Sequence, residues 1–216
     1  MNDFGLYLVI TDPAAGYARC AEAAVKASVR IIQLRMKRAS RADVLREASE
    51  IRRATAGTDT LFIVNDDPDI AAQVGADGVH VGQDDRDPDE IRSRFPELRI
   101  IGLSTHSPSQ AIASSGKSVD YIGVGPVYAT PTKDIPDPTL GLETMSEMIR
   151  LSNRPAVAIG GIDETRIDDV VKAGATNFAV VRAVCRDPNP YTAIRRLQQR
   201  YRDAMAFRQT TMRVLP

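Results

Sequence analysis

Short apolar runs, rich in β-branched residues, recur along the whole chain and alternate with stretches rich in alanine, arginine and glutamate. Each apolar run is typical of a buried strand, and each intervening stretch favours a helix. Eight strands are predicted, at residues 6–11, 31–37, 61–66, 78–83, 100–105, 121–127, 156–161 and 178–184. Helices are predicted at residues 14–28, 41–56, 68–74, 88–94, 108–114, 142–151, 164–173 and 191–207. Ser40 and Asp163 are the expected N-caps of the second and seventh helices.

Regular alternation of strand and helix indicates parallel strands joined by crossover helices. Eight repeats with nearly continuous apolar strands predict a single α/β domain, a (β/α)8 TIM barrel, over residues 1–216. Residues 208–216 are a candidate disordered tail. The competing architecture is a doubly wound open sheet, but no G-x-G-x-x-G turn follows the first strand.

The composition narrows the class of protein. Hydrophobic residues make up 43% and charged residues 26% of the 216 positions, which is typical of a globular protein. The formal net charge is zero, so no overall field would attract nucleic acid, and no apolar run approaches the length of a membrane span. Two isolated cysteines and no signal-peptide pattern predict a reducing, cytoplasmic location. The four arginines of the closing helix, together with Arg208 just after it, are interpreted as a solvated face.

In a TIM barrel the active site lies at the carboxyl ends of the strands, and here those ends are polar. Because side chains alternate along a strand, Gln33, Arg35 and Lys37 are expected on one face, near the barrel mouth. Two cations there require an anionic partner, since burial of unpaired charge is costly. The alternative is an exposed strand face that carries ordinary surface charge.

Acidic residues follow the third and fourth strands: Asp66, Asp67, Asp84, Asp85 and Asp87. Carboxylates brought to one rim repel each other unless a cation joins them, and Mg²⁺ is commonly held by one or two carboxylates plus phosphate oxygens. Helix capping is the alternative explanation and is expected to account for some of these acids, but not for all five.

Two further segments suit phosphate groups. The loop that follows the sixth strand carries Thr130, Thr132 and Lys133 between prolines, although a polar surface turn would look similar. Gly160 and Gly161 follow the seventh strand and precede a helix, where backbone N–H groups can cradle a phosphate, with Arg182 nearby. His80 is interpreted as a hydrogen-bonded core residue, and no nucleophile–histidine pair is apparent.

Taken together, these residues resemble the thiamine phosphate synthase family over about residues 6–185. The resemblance is carried by Q-L-R-x-K at 33–37, N-D at 65–66, A-D-G-V-H-V-G-Q-D-D at 76–85, G-L-S at 102–104, G-P-V-Y-A-T-P-T-K at 125–133, L-G-L-E at 140–143 and A-I-G-G-I at 158–162. The family joins a hydroxymethylpyrimidine diphosphate to a thiazole phosphate and releases pyrophosphate.

The resemblance implies a role for each matching residue. The pyrimidine diphosphate would be held by Gln33, Arg35, Lys37, Asn65, Ser104 and Lys133, of which Arg35, Lys37, Ser104 and Lys133 are the predicted catalytic residues. Mg²⁺ would be bound by Asp66 and Asp85. The thiazole phosphate would be held by Thr130, Thr132, Gly161, Val181 and Arg182.

Two departures from the family pattern and two rival functions stay open. Arg182 stands where the family usually has serine, and the acidic segment 134–139 is expected to be a mobile lid. A related thiazole tautomerase shares the fold but needs an acid–base group, and it carries a histidine at the place of Pro126. A non-catalytic barrel that binds phosphate ligands is the other rival. The sequence leaves open whether the chain forms a homo-oligomer and which thiazole form it prefers.

Overall fold

Eight parallel strands form a closed barrel with strand order β1 to β8, which confirms the predicted TIM barrel. The computed structural model describes residues 3–130 and 138–214. The strands are β1 (Gly5–Ile10), β2 (Ile31–Leu34), β3 (Leu61–Asn65), β4 (Gly78–Val81), β5 (Ile100–Thr105), β6 (Tyr121–Val124), β7 (Ala156–Ile159) and β8 (Asn177–Val180).

A helix follows every strand and packs against the outside of the barrel. The helices are α1 (Tyr17–Lys26), α2 (Arg41–Thr55), α3 (Pro68–Val74), α4 (Pro88–Arg94), α5 (Pro108–Ala113), α6 (Gly141–Leu151), α7 (Ile167–Lys172), α8 (Arg182–Cys185) and α9 (Pro190–Val214). Within the described residues, none of them combines the length and the apolar character that a membrane crossing requires.

Most strands are shorter at their carboxyl ends than the apolar pattern predicted. β2 ends at Leu34 rather than at Lys37, and β8 ends at Val180 rather than at residue 184. The eighth run continues as the short helix α8, whose Val184 and Cys185 are buried. Burial keeps a segment apolar in either conformation, so composition alone could not locate the change from strand to helix.

One of the two predicted side-chain caps is found and the other is not. The Ser40 hydroxyl accepts a hydrogen bond from Asp43 N at 3.1 Å, as expected at the start of α2. The predicted cap at Asp163 is wrong, because α7 begins only at Ile167. The Asp163 carboxylate instead accepts from the backbone and side chain of Thr165, which stabilises a turn that delays the helix.

Two apolar cores hold the barrel together. The outer core lies between the strands and the helices and includes Leu8, Ile32, Phe62, Ile122 and Phe178. The inner core fills the barrel itself and consists of buried side chains from seven strands: Tyr7, Val9, Ile31, Ile63, Ile100, Tyr121, Val157 and Ala179. Because side chains alternate along a strand, successive residues face opposite cores. The strand runs are therefore apolar throughout.

The first and last strands close the barrel. Leu6 is paired with Phe178, and the Asn177 side chain accepts hydrogen bonds from Phe4 N at 2.7 Å and Gly5 N at 3.2 Å. α9 supports this junction, because the Tyr201 ring packs on Phe178 with centroids 5.3 Å apart.

Candidate active site

A cavity of about 1010 Å³ opens at the carboxyl ends of the strands. Its floor is the upper layer of the inner core, and its walls are the segments that follow the strands. This volume is at the upper end of the range for small-molecule sites, so two small ligands can share it. Every predicted site residue within the described ranges lines the cavity: Gln33, Arg35, Lys37, Asn65, Asp66, Asp85, Ser104, Thr130, Gly161, Val181 and Arg182.

The predicted residues Thr132 and Lys133 lie outside the described residues, as does most of the segment 134–139. Thr130, at the last described position before that gap, lines the cavity, and so do Pro138 and Thr139 after it. The loop that joins β6 to α6 therefore borders the site on both described sides.

The cationic residues after β2 face the cavity although the strand ends before them. Gln33 is the last inward residue of β2 and is only 4% exposed. Arg35 leaves the strand ladder, yet its N–H still donates to Ile10 O at 3.0 Å, so the backbone stays extended beside β1. Arg35 thus continues the alternation that Gln33 begins, and Lys37 reaches the same cavity from the turn that follows.

Asp66 and Asp85 form an acidic corner beside these cations. Lys37 makes an ion pair with the Asp66 carboxylate. Burial raises the pKa of Asp66 above its usual value; the Lys37 ammonium opposes this rise, and the neighbouring Asp85 carboxylate adds to it. Asp85 also accepts a hydrogen bond from Gly82 N at 2.7 Å. Two close carboxylates, one partly buried, favour a bound cation in this corner.

The other acids of this rim have structural roles or face solvent. The Asp67 carboxylate caps α3 by accepting from Ile70 N at 2.8 Å, and Asp87 caps α4 by accepting from Asp89 N at 2.8 Å. Asp84 is exposed and does not line the cavity. Capping therefore accounts for part of the acidic set, as expected, and leaves Asp66 and Asp85 facing the cavity.

Asp66 and Asp85 are the side chains of this corner that could hold a metal ion. Among the residues that the structure describes, no group of three or more His, Cys, Asp or Glu side chains is placed to hold a metal. Two carboxylates that share a rim with cationic residues leave room for water and phosphate oxygens as further ligands, which is the coordination that Mg²⁺ favours.

The glycine pair after β7 brings the β6 loop close to the β7 end. Gly161 has a φ of +64°, and a Cβ there would lie 2.7 Å from Tyr128 Cβ and 2.9 Å from Ala129 O. A side chain at Gly161 would therefore be strained and would displace the loop that carries Thr130. Arg166 stabilises this contact, because it donates to Gly161 O at 2.5 Å and stacks on the Tyr128 ring.

A series of hydrogen-bonded polar side chains, three buried and two half-buried, crosses the cavity floor. Gln33 Nε2 donates to the Tyr7 hydroxyl at 2.8 Å, and the hydroxyls of Tyr7 and Tyr121 are 2.9 Å apart. Tyr121 then meets His80 Nδ1 at 2.9 Å, and His80 Nε2 meets Ser104 Oγ at 2.9 Å. His80 is hydrogen-bonded as predicted, but it also lines the cavity, as do both tyrosines.

Sequence reasoning did not select Tyr7 and Tyr121 as site residues. Both stand inside apolar strands, where a tyrosine resembles a core residue. A usable signal was their position on the inward face, because a buried phenol needs a hydrogen-bond partner. Burial raises the pKa of both hydroxyls above the usual value for tyrosine, so both stay protonated at neutral pH.

The arginines of α9 lie away from the cavity. Arg196 pairs with Asp187 at 3.0 Å and with Glu164 at 3.4 Å, and Arg200 pairs with Asp168 at 2.5 Å. These exposed ion pairs tie α9 to α7 and to the segment that precedes α9.

A model of the thiamine monophosphate synthase family matches residues 6–184. The chain belongs to this family. Membership in the thiamine monophosphate synthase family confirms the resemblance predicted from the strand-end motifs.

Named members of the family are similar over most of the chain. A thiamine-phosphate synthase from Lawsonia intracellularis is 41% identical over 202 residues, which cover 91% of this chain and 92% of that protein. One from Gloeobacter violaceus is 43% identical over 190 residues, or 87% of this chain, but the chain spans only 55% of that longer relative. The enzyme class expected for this chain, a transferase, is that of these relatives.

A solved structure of the same kind agrees in fold. Thiamine phosphate pyrophosphorylase from Pyrococcus furiosus superposes with a TM-score of 0.83 at 29% identity, covering 94% of this chain and 98% of that one. The thiamine monophosphate synthase family and the barrel architecture are thus supported by both sequence and structure.

Proposed function

We propose that the protein joins 4-amino-5-hydroxymethyl-2-methylpyrimidine diphosphate to 4-methyl-5-(2-phosphoethyl)thiazole, or to its carboxylate with loss of CO2, and yields thiamine phosphate and pyrophosphate. The observation that carries this proposal is one cavity whose two sides carry different groups suited to anions. Cations and the acidic corner lie after β2, β3 and β4, whereas the glycine pair and Thr130 lie after β6 and β7. Two phosphorylated substrates suit such a cavity.

The diphosphate would bind on the side of β2 to β5. Arg35 and Lys37 offer positive charge, and the Ser104 hydroxyl offers a hydrogen bond from the floor. Lys133 would approach from the loop after β6. Asn65 and Gln33 would hold the pyrimidine end by hydrogen bonds.

Asp66 and Asp85 would hold a magnesium ion, and this ion would neutralise charge on the departing diphosphate. The ion pair between Lys37 and Asp66 shows that the same carboxylate already attracts positive charge. Mg²⁺ is therefore part of the proposal and is expected to be required for turnover.

The reaction needs charge stabilisation and positioning more than it needs a protein base. The C–O bond between the pyrimidine methylene and the diphosphate breaks, and its electron pair leaves with pyrophosphate. The thiazole nitrogen then donates its lone pair to the methylene carbon and forms the new C–N bond. Arg35, Lys37 and Ser104 would stabilise the leaving group, and the closed floor would exclude water from the cationic intermediate.

The thiazole phosphate would bind on the opposite side of the cavity. Thr130, Thr132, Gly161 and the Val181–Arg182 backbone would surround the phosphate. α8 begins at Arg182, and both Val181 and Arg182 line one wall of the cavity. An arginine in place of the usual serine would add charge to this subsite.

Pyrophosphate release tests the proposal. Purified protein with both substrates and Mg²⁺ is expected to release one pyrophosphate per thiamine phosphate in a coupled assay. Omission of the thiazole, or addition of a chelator, is expected to stop the release. Isomerisation of the thiazole carboxylate without pyrophosphate release would instead identify a tautomerase, and ligand binding without either activity would identify a binding protein.

A further inference from the structure

The hydrogen bonds across the cavity floor join the two ends of the proposed pyrimidine diphosphate site. Gln33 lies at one end, Ser104 lies at the other, and Tyr7, Tyr121 and His80 connect them. All five side chains line the cavity. The proposed mechanism assigns roles to Gln33 and Ser104 but not to the three residues that connect them.

The number of hydrogens on each group decides which partner donates in each of these hydrogen bonds. Tyr7 accepts from Gln33 Nε2, which can only donate, so the Tyr7 hydrogen is left to donate to the Tyr121 oxygen. The Tyr121 hydrogen then has His80 Nδ1 as its acceptor. A neutral imidazole that accepts at Nδ1 carries its hydrogen on Nε2, and Nε2 donates to Ser104 Oγ.

We propose that Tyr7, Tyr121 and His80 are positioning residues. Their hydrogen bonds, in the order Gln33 to Tyr7 to Tyr121 to His80 to Ser104, form a relay that holds His80 as its Nε2–H tautomer. The relay thereby decides which atoms of Gln33 and Ser104 are left to donate to the substrate or to accept from it. This inference rests on the proposed function for its substrate. With the Gln33 amide oriented so that Nε2 faces Tyr7, the reverse order would leave the buried Tyr7 hydrogen without an acceptor, which is costly.

The absence of a side chain at Gly102 leaves room for the contact between His80 and Tyr121. In the strand register, Gly102 lies between His80 on β4 and Tyr121 on β6. A Cβ at Gly102 would overlap the Tyr121 ring and His80 Nδ1, so only glycine allows these two side chains to meet. The His80 and Tyr121 rings stack with centroids 5.4 Å apart, which fixes the geometry of their hydrogen bond.

The direction of the relay matches the substrate at both ends. Because the Gln33 amide N–H groups serve Tyr7 and Tyr121, Oε1 is the atom of Gln33 that is left to accept from a ligand. An aminopyrimidine offers the complement, an amino N–H. Ser104 accepts from His80, so its own hydrogen is left to donate to a diphosphate oxygen, which can only accept. The reverse relay would present the wrong polarity at Ser104.

The tautomer of His80 in the ligand-free protein tests the relay without turnover. The chain has two histidines, so ¹⁵N-histidine labelling and long-range ¹H–¹⁵N correlation spectra give two ring systems. His80 is expected as the Nε2–H form. His106 is an internal reference for the opposite form, because its Nδ1 lies 2.6 Å from the Gly125 carbonyl, which can only accept.

A His106→Gln variant assigns the two sets of signals. An Nδ1–H or doubly protonated His80 at neutral pH would overturn the relay, even if the protein releases pyrophosphate. An Nε2–H His80 in a protein that releases no pyrophosphate would support the relay and count against the proposed substrate.

Tyr121→Phe breaks the relay at its centre with little change in shape. The KM for the pyrimidine diphosphate is expected to rise about tenfold, the effect of one net hydrogen bond, while the KM for the thiazole phosphate stays within about twofold. The His80 spectrum is expected to change to a mixture of tautomers, because Nδ1 has lost its donor.

Tyr201→Phe is the matched control, since it removes one hydroxyl hydrogen bond, to Thr176 O at 2.6 Å, outside the cavity. It is expected to leave both KM values and the His80 spectrum unchanged. Equal kinetic effects of the two variants, or an unchanged His80 tautomer in Tyr121→Phe, would overturn the relay. Should Tyr121→Phe fail to fold, the spectrum of the unmodified protein still decides.

Discussion

Asp66 holds its carboxylate in the cavity with a backbone conformation that few side chains tolerate. Its φ is +63°, and its N–H donates to His80 O at 2.8 Å. Aspartate and asparagine accept this conformation more readily than other residues with a Cβ. An asparagine substitution therefore removes the charge and keeps the backbone, whereas alanine would mix the two effects.

Asp66→Asn is expected to lower kcat/KM on the order of 100-fold, or about 2.7 kcal/mol, because the proposed magnesium ion would lose a charged ligand. Its urea unfolding midpoint is expected to stay near that of the unmodified protein. Asp84→Asn, an exposed change on the same rim, is the control and is expected to be silent. Equal activity of the two variants would contradict a metal role for Asp66.

Gly161 is required both by its backbone angle and by the space around it. Gly161→Ala is expected to lower the free energy of unfolding by about 2 to 3 kcal/mol, since positive φ strain adds to the clash with Tyr128. Gly57→Ala is the matched control: its φ is +72° but nothing lies within 4 Å, so it is expected to cost only about 1 kcal/mol. Equal losses in urea unfolding would show that the contact with the β6 loop is unimportant.

At the scale of the elements, neighbouring acidic residues of one rim have different roles, since some cap helices and others line the cavity. Asp87 caps α4 and also pairs with Lys117 at 2.5 Å, away from the cavity. Asp87→Ala is expected to lower the free energy of unfolding by about 1 kcal/mol and to leave kcat/KM within about twofold. Chemical unfolding and steady-state kinetics measure the two effects, and a large loss of activity would show that α4 positions the acidic corner.

The elements also show what the sequence could predict. Strand order and the gathering of polar residues at one end followed from alternation, because parallel strands in a barrel place all carboxyl ends together. Strand ends did not follow, because segments such as α8 stay apolar after leaving the sheet. The hydrogen bonds between Tyr7, Tyr121 and His80 were missed because they depend on strand register, which no local pattern encodes.

At the scale of the whole molecule, buried thiols and tyrosine hydroxyls make the free energy of unfolding fall at alkaline pH. Burial raises the pKa of Cys20 to about 11 and that of Cys185 to about 12, and it raises the pKa of Tyr7 and Tyr121 as well. The unfolded chain releases these protons first, from about pH 9 for thiols and about pH 10 for tyrosines. The stability from these groups is thus complete below about pH 9 and is lost as the pH rises through the folded values.

The urea midpoint is expected to be level from about pH 7 to pH 8.5 and to fall steadily above about pH 9. A Cys20→Ala/Cys185→Ala variant is the control, and its midpoint is expected to fall less between about pH 9 and pH 11. A midpoint that is independent of pH up to about 10.5 would contradict the burial of these groups.

The hydrogen bonds from Phe4 and Gly5 to Asn177 join residues that are 173 and 172 positions apart. During synthesis, the first strand therefore waits for β8, because Asn177 is translated 172 residues after Gly5. Until then, the nascent chain carries an open curved sheet with apolar strand edges, the form most exposed to chaperones and to mispairing. Translation of β8, and not only of the earlier segments that line the cavity, is needed to close the barrel.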